Sequence, residues 1–210
     1  MAATLALSFD DGPNPDGTSR ILALLERHGV TATFFVWGEQ AQRYPDVVRA
    51  TLDAGHSVQP HCWEHVSHWQ REPDAIAADI DRILELLAQI GAPRPLLWRP
   101  PYGRTLPGAS ARIAAERGLA LAGWTINPHD YAGHAAGDML ADVRAQLVEG
   151  ERGVLLLHDG HREPGQLERR PDASNTVELV RLLLEAQTPR LEQLREGLSD
   201  SLDDKPPPGR

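Results

Sequence analysis

Short apolar runs alternate with amphipathic helical segments along almost the whole chain, and this rhythm limits the possible folds more than any single motif does. Residues 4–7, 31–37, 56–58, 96–98, 119–126 and 153–157 are bounded by turn residues and rich in β-branched, aromatic or aliphatic side chains, as buried strands are. Between them, Thr18 and Ser19 can cap a helix that Gly29 ends. Further helices are expected over residues 44–54, 74–90, about 109–117, 138–148 and 175–186. Such βα alternation predicts an α/β fold with a parallel sheet covered by helices, either open or closed as a barrel. Reactive groups in these folds gather at the C-terminal ends of the strands.

With 210 residues and 41% hydrophobic content, the chain is expected to form one domain over residues 1–198. Residues 199–210, with Pro206, Pro207 and Pro208, read as a mobile tail. A formal charge of −9 argues against a nucleic-acid partner, whose phosphates need a basic face, and gives no support for an anionic membrane surface. Cys62 is the single cysteine, so no internal disulfide is possible. No apolar run approaches the roughly 20 residues that span a bilayer. No basic and apolar leader precedes the first strand, so the chain as written is expected in the cytoplasm, and outside it only if the sequence is truncated. The sequence says nothing about oligomeric state.

Five segments fall at or just after strand ends. Asp10 and Asp11 stand before the turn signal Gly12-Pro13, where one carboxylate can hold a metal while the other takes a proton. His61 and His65 are four residues apart, a spacing that lets two imidazoles share one face of a helical turn and bind a metal. Two His and one Asp make a plausible catalytic zinc set, with His68 a bystander. In Arg99-Pro100-Pro101-Tyr102, the arginine could pair with Asp10, and Tyr102 carries the first N–H after two residues that have none. Trp124 to Tyr131 form the fourth segment. In the fifth, His158 directly follows the apolar run Leu155-Leu156-Leu157, where packing explains it poorly and a general-acid role explains it better. Each segment alone has a plainer reading: a surface turn, two exposed helix histidines, a rigid loop, a hydrogen-bonded structural histidine.

Together the segments resemble those of the polysaccharide deacetylase family (carbohydrate esterase family four), in order and in rough spacing, from about Leu5 to Leu184. The resemblance implies a distorted, often incomplete (β/α) barrel. It implies that Asp11, His61 and His65 bind one divalent metal, zinc first, with cobalt or another transition ion as the alternative. Asp10 would be the general base for the attacking water, oriented by Arg99, and His158 the acid for the leaving amine. Tyr102 N–H would help to hold the oxyanion, and Leu156 would line the acetyl pocket. Of the tryptophans in these segments, Trp124 is the substrate-side candidate, although stacking on a sugar and packing in the core are both open to it.

Three departures from the family pattern carry expectations. Cys62 stands where the family usually has Ser or Thr, so the loop after His61 is expected to be looser. Asn127 stands where the fourth motif usually begins with Asp, the carboxylate thought to raise the pKa of the acid histidine. His158 is therefore expected to lose its proton at lower pH, unless Asp130 or Asp159 supplies the charge. Residues 187–198 are charged and read as more helix, which would leave the barrel one strand short.

The leading function is hydrolysis of the acetamide of N-acetylated amino sugars, in chitin- or peptidoglycan-type polymers or their fragments. The alternative is a cytoplasmic N-deacylase or deformylase of a small metabolite or sugar conjugate. A non-catalytic sugar-binding relic has only Asn127 in its favour.

Overall fold

The computed structural model describes residues 3–160, 173–186, 189–194 and 202. In chain order the elements are β1 (Thr4–Asp10), α1 (Gly17–His28), β2 (Thr33–Trp37), α2 (Gly38–Arg43), α3 (Pro45–Asp53), β3 (Ser57–Cys62), α4 (Pro73–Ile90), β4 (Leu97–Trp98), α5 (Ser110–Glu116), β5 (Ala120–Leu121), α6 (Ala136–Gln146), β6 (Arg152–His158), α7 (Ser174–Glu185) and β7 (Arg190–Gln193).

β1 is buried beyond Thr4 on both faces, so its period of two divides two interiors rather than core from water. Leu5, Leu7 and Phe9 pack with Leu155, Leu157, Phe34 and Val36 under the helices. Ala6, Ser8 and Asp10 face inward, where Ala6 meets Phe35, Leu97, Ala122, Val154 and Leu194. The helices follow from similar patterning. Ile76, Ile80, Ile83 and Leu87 bury one face of α4, and Gly91 ends it in the left-handed conformation at φ 93°.

The main sheet is parallel, in the order β3-β2-β1-β6. β6 pairs with the whole of β1, whereas β2 pairs with Ser8, Phe9 and Asp10 and β7 with Thr4 to Leu7. β4 and β5 form a separate parallel pair. It joins β6 through the bridge between Ile126 and Leu155. Across the seam from β3 to β4 the ladder fails. The Arg99 N–H reaches Pro60 O at 3.4 Å, and Gln59 Oε1 accepts the N–H groups of Leu96 and Leu97 at 3.0 and 2.8 Å. A side chain there stands in for a backbone ladder, and the distorted (β/α) barrel stays open.

The structure differs from three expectations and adds one helix. The strand expected over residues 119–126 is only Ala120–Leu121 plus the Ile126 bridge, because the carbonyls of Ala122 and Gly123 turn to the Arg99 guanidinium. Of the helix expected over residues 187–198, the described part, residues 189–194, contains β7 instead, and the rest lies outside the described residues. Pairing with β1 overrides local propensity there, and Arg152 pairs with Glu192 at 2.6 Å. Thr18 and Ser19 do not cap α1, whose N-cap position is Asp16. The segment after β2 forms α2, where no element was expected. The expected domain limit at residue 198 and the tail 199–210 lie outside the described residues, Leu202 apart. Among the described residues, no helix is long and apolar enough to cross a membrane.

Replacing Gln59 with Met keeps the side chain's length but leaves two N–H groups at the seam without an acceptor. Gln59→Met is expected to cost about 1–3 kcal/mol in urea unfolding. An unchanged midpoint and slope would show that the seam does not depend on this side chain.

Candidate active site

Asp10 and His158 end adjacent parallel strands and are partners in register, as are Ser8 and Leu156 two residues earlier. Register partners in a parallel pair face the same side, so the sheet sets a carboxylate beside an imidazole at the top of the barrel. Arg99, just past β4, is fully buried below them. Its Nη1 donates to Asp10 Oδ1 at 2.8 Å and Ser8 Oγ at 2.9 Å, Nε to Ala122 O at 3.1 Å, and Nη2 to Gly123 O at 2.7 Å. The guanidinium lies 4.1 Å from the Phe35 ring centre.

In a continuing strand, Asp11 would face away from Asp10. Its φ of 70° ends β1 and turns its carboxylate to the same end of the barrel, in a conformation that Asp tolerates better than most residues. Gly12 is required next to it, because a Cβ there would sit 2.2 Å from Asp159 Oδ2. The two histidines do not share a helical face. His61 is the buried penultimate residue of β3, and His65 lies in the turn beyond it. Their Nε2 atoms are 3.4 and 3.2 Å from Asp11 Oδ1.

This trio fits a cation. His61 Nδ1 lies 2.7 Å from Arg99 O. A carbonyl only accepts, so Nδ1 carries the hydrogen and Nε2 presents a lone pair. That lone pair faces Asp11 Oδ1, which is buried and whose nearest side-chain nitrogens are the two imidazole Nε2 atoms, His65 at 3.2 Å and His61 at 3.4 Å. Two electron-rich atoms face each other there, and a cation between them removes the conflict. The three ligand atoms lie within 4.8 Å of one another, and three protein donors leave room for further ligands, as catalytic sites do. Burial acts to raise the Asp11 pKa, but the charge and contact of His65, with His158 further off, outweigh it and hold the carboxyl well below the usual range. Burial also lowers the His61 pKa, which keeps the ring neutral and able to ligate.

The charge beside His158 comes from Asp130. Asp130 Oδ1 meets His158 Nδ1 at 2.8 Å, and Oδ2 accepts the His158 N–H at 2.8 Å and Thr176 Oγ1 at 2.9 Å. Burial alone would lower the His158 pKa, but Asp130, with help from Asp11 and Asp10, raises it from 6.5 to about 9. Of the two carboxylates that could supply the charge in place of residue 127, Asp130 does so, and the early loss of the proton expected without it does not arise. Asn127 closes the preceding turn, its Oδ1 accepting the His129 N–H at 2.9 Å, a task that needs no charge. Asp159 is directed elsewhere: its Oδ2 accepts Thr18 Oγ1 at 2.5 Å, and burial pushes its pKa up to about 7.

Tyr102 is left-handed at φ 59° and half exposed, with its ring 4.6 Å from His65. Leu156 is buried on the same strand face as His158. Trp124 is partly buried over Gly103, where a Cβ would meet its ring at 2.3 Å. Trp37, Trp63 and Trp98 are core. Cys62 is buried outside the trio, and burial pushes its thiol pKa up. His68 is a buried bystander bonded to Ser110 Oγ at 3.0 Å. Sequence reasoning missed Ser8 and Thr176. Ser8 could have been found as a polar residue two positions before Asp10 in an apolar strand, whereas nothing local marks Thr176.

Residues 2–122 match the family model for polysaccharide deacetylases. A chitooligosaccharide deacetylase of Bradyrhizobium sp. (strain ANU 289) is 33% identical over 180 residues, covering 84% of this chain and 80% of that one. The peptidoglycan-N-acetylglucosamine deacetylase PgdA of Listeria monocytogenes is 32% identical over 158 residues, 75% of this chain. The aligned part is a third of the Listeria protein's length, 33%. Among solved structures, the family 4 carbohydrate esterase from Streptomyces lividans, in complex with acetate, superposes with a TM-score of 0.74 at 28% identity, over 87% of this chain and 86% of that one.

Asp130→Asn is expected to bring the His158 pKa from about 9 back toward 6.5, read by NMR titration of the imidazole in metal-free protein. Asn127→Asp is expected to leave it in place. The His158 pKa is raised on folding, so its contribution to stability is complete below 6.5 and is lost as pH rises through about 9. A titration that responds to Asn127→Asp and not to Asp130→Asn would contradict this assignment.

Proposed function

We propose that this chain, which belongs to the polysaccharide deacetylase family, is a metal-dependent N-deacetylase. It hydrolyses the acetamide of N-acetylated amino sugars, in chitin- or peptidoglycan-type polymers or their oligosaccharide fragments. The observation that carries the reading is the register pairing of Asp10 with His158, beside the donor trio Asp11, His61 and His65. The names of the relatives agree in reaction type and differ in substrate.

Asp11, His61 and His65 would hold a divalent ion, zinc first by this mixed carboxylate and imidazole set. When bound, such an ion supplies Lewis acidity and lowers the pKa of water to about 7. Asp10, fixed through Oδ1 by Arg99, takes a proton from the water that attacks the acyl carbon. The Tyr102 N–H, next after two prolines, suits the oxygen that gains negative charge. His158 then protonates the departing nitrogen as the C–N bond breaks, leaving acetate and a free amine. Asp130 holds Nδ1 of that ring, so Nε2 is the nitrogen that exchanges the proton. With a pKa of about 9, His158 carries its proton at neutral pH. Leu156, on the same strand face, would bound the acetyl methyl.

Acetate release from N-acetylglucosamine oligomers of graded length tests the reading. Zinc- or cobalt-loaded protein is expected to release acetate, chelation to abolish release, and metal to restore it. Asp10→Asn and His158→Ala are each expected to lower turnover by roughly 10²–10⁴-fold. No release at any length, from protein shown to hold metal, would overturn the amino-sugar reading in favour of a small amide substrate.

A further inference from the structure

We infer that Asp79, on α4, is the positioning residue that sets the turn carrying His65 and so fixes the third corner of the donor trio. The inference rests on the reading that Asp11, His61 and His65 hold a metal. The two histidines reach the site by different means. His61 is fixed by β3 and by the bond from its Nδ1 to Arg99 O. His65 lies past the strand end in a turn that has neither helix nor ladder to hold it. Its ring touches Trp37 at 5.7 Å and Tyr102 at 4.6 Å between centres, contacts that tolerate sliding.

The turn is held through the peptides between the two histidines. Asp79 Oδ1 accepts the Trp63 N–H and Oδ2 the Glu64 N–H, both at 2.8 Å. On the other side of the same peptide unit, Trp63 O accepts Trp37 Nε1–H at 2.7 Å. Arg71 completes the clamp, donating to Asp79 Oδ2 at 2.9 Å and to Glu64 Oε2 at 3.2 Å. The Cys62 thiol is a weak hydrogen-bonding group and adds little. The Asp79 carboxylate is 7% exposed, beside the apolar face of α4 formed by Ile76, Ile80 and Ile83. A buried charge at such a position is costly unless its bonds are needed. One carboxylate thus ties a helix on the outer layer to the segment that presents a metal ligand. An amide could not replace it, because its NH₂ would face either a peptide N–H or the guanidinium.

The test is the zinc dissociation constant of the purified chain, by competition with a chromophoric chelator, together with the visible spectrum of the cobalt-loaded protein and the thermal midpoint without metal. Asp79→Asn is expected to weaken zinc binding by about 10–100-fold and to alter the cobalt spectrum. Asp79→Glu, which keeps both acceptor oxygens, is expected to restore most of the affinity. A lowered metal-free midpoint with unchanged affinity and spectrum would make Asp79 merely structural and overturn the inference. Should Asp79→Asn fail to fold, Arg71→Ala removes the guanidinium that orients Asp79 Oδ2 onto the Glu64 N–H and so loosens the clamp while leaving Asp79 in place. A several-fold loss of affinity then supports the inference and no loss overturns it. Wild-type protein that binds no zinc, or binds it equally well as Asp11→Asn, would overturn the metal-site reading itself.

Discussion

Arg99 carries a full positive charge inside the barrel at 0% exposure, and the strand ends are arranged around it. Its side chain bonds to Ser8 and Asp10 on β1 and to the carbonyls of Ala122 and Gly123 after β5, and it stacks on Phe35 of β2. Its own carbonyl receives His61 from β3. A buried charge that loses its partner is destabilising by about 3–5 kcal/mol, so these strand ends cannot shift independently. Small residues make the room: Ala6 and Ala122 face the same interior. The irregular end of β5 and the open seam beside β4 are consequences, since carbonyls spent on a guanidinium are lost to a ladder.

Around that fixed charge, four buried or nearly buried carboxyl groups stand in different electrical settings. Asp10 faces a guanidinium, Asp11 faces imidazoles, Asp130 faces the ring it charges, and Asp159 faces a threonine hydroxyl. Only Asp159 lacks a cationic partner among these contacts, and burial lifts it to about 7 while His158 is lifted to about 9. One residue type thus stands in four settings, and under the proposed function these correspond to proton acceptor, metal donor, acid tuner and loop brace, with the neighbours deciding which. Asp159 braces literally: its N–H bonds to Asp10 O, and its carboxyl fills the space that Gly12 leaves.

The alternation of strands and helices was legible in the sequence because each strand is a short apolar run with turn residues at its ends. The trio Asp11, His61 and His65 was legible as chemistry but not as geometry. A four-residue spacing fits one helical face, and it fits a strand end followed by a turn equally well. A short strand was legible at residues 56–58, but Gln59-Pro60 gives no sign that it runs on to Cys62. Asn127 and Asp130 are three residues apart, and the left-handed backbone at His129, φ 54°, determines which one reaches His158. Asp79 looked like an ordinary charge on an amphipathic helix, because its partners are peptide N–H groups that carry no side-chain signature. β7 was hidden because charged side chains at 190 and 192 resemble a helix surface until β1 is placed beside them.

Under the proposed function, one ion binds between Asp11, His61 and His65, directly beside Asp10 and His158. Anomalous diffraction from crystals of the zinc-loaded protein, recorded on both sides of the zinc edge, tests it most directly. The expected result is a single strong peak within bonding distance of an Asp11 carboxylate oxygen and both Nε2 atoms, with Asp10 and His158 unligated. A peak bonded instead to Cys62 or His158, or none at the trio at full zinc loading, would contradict it.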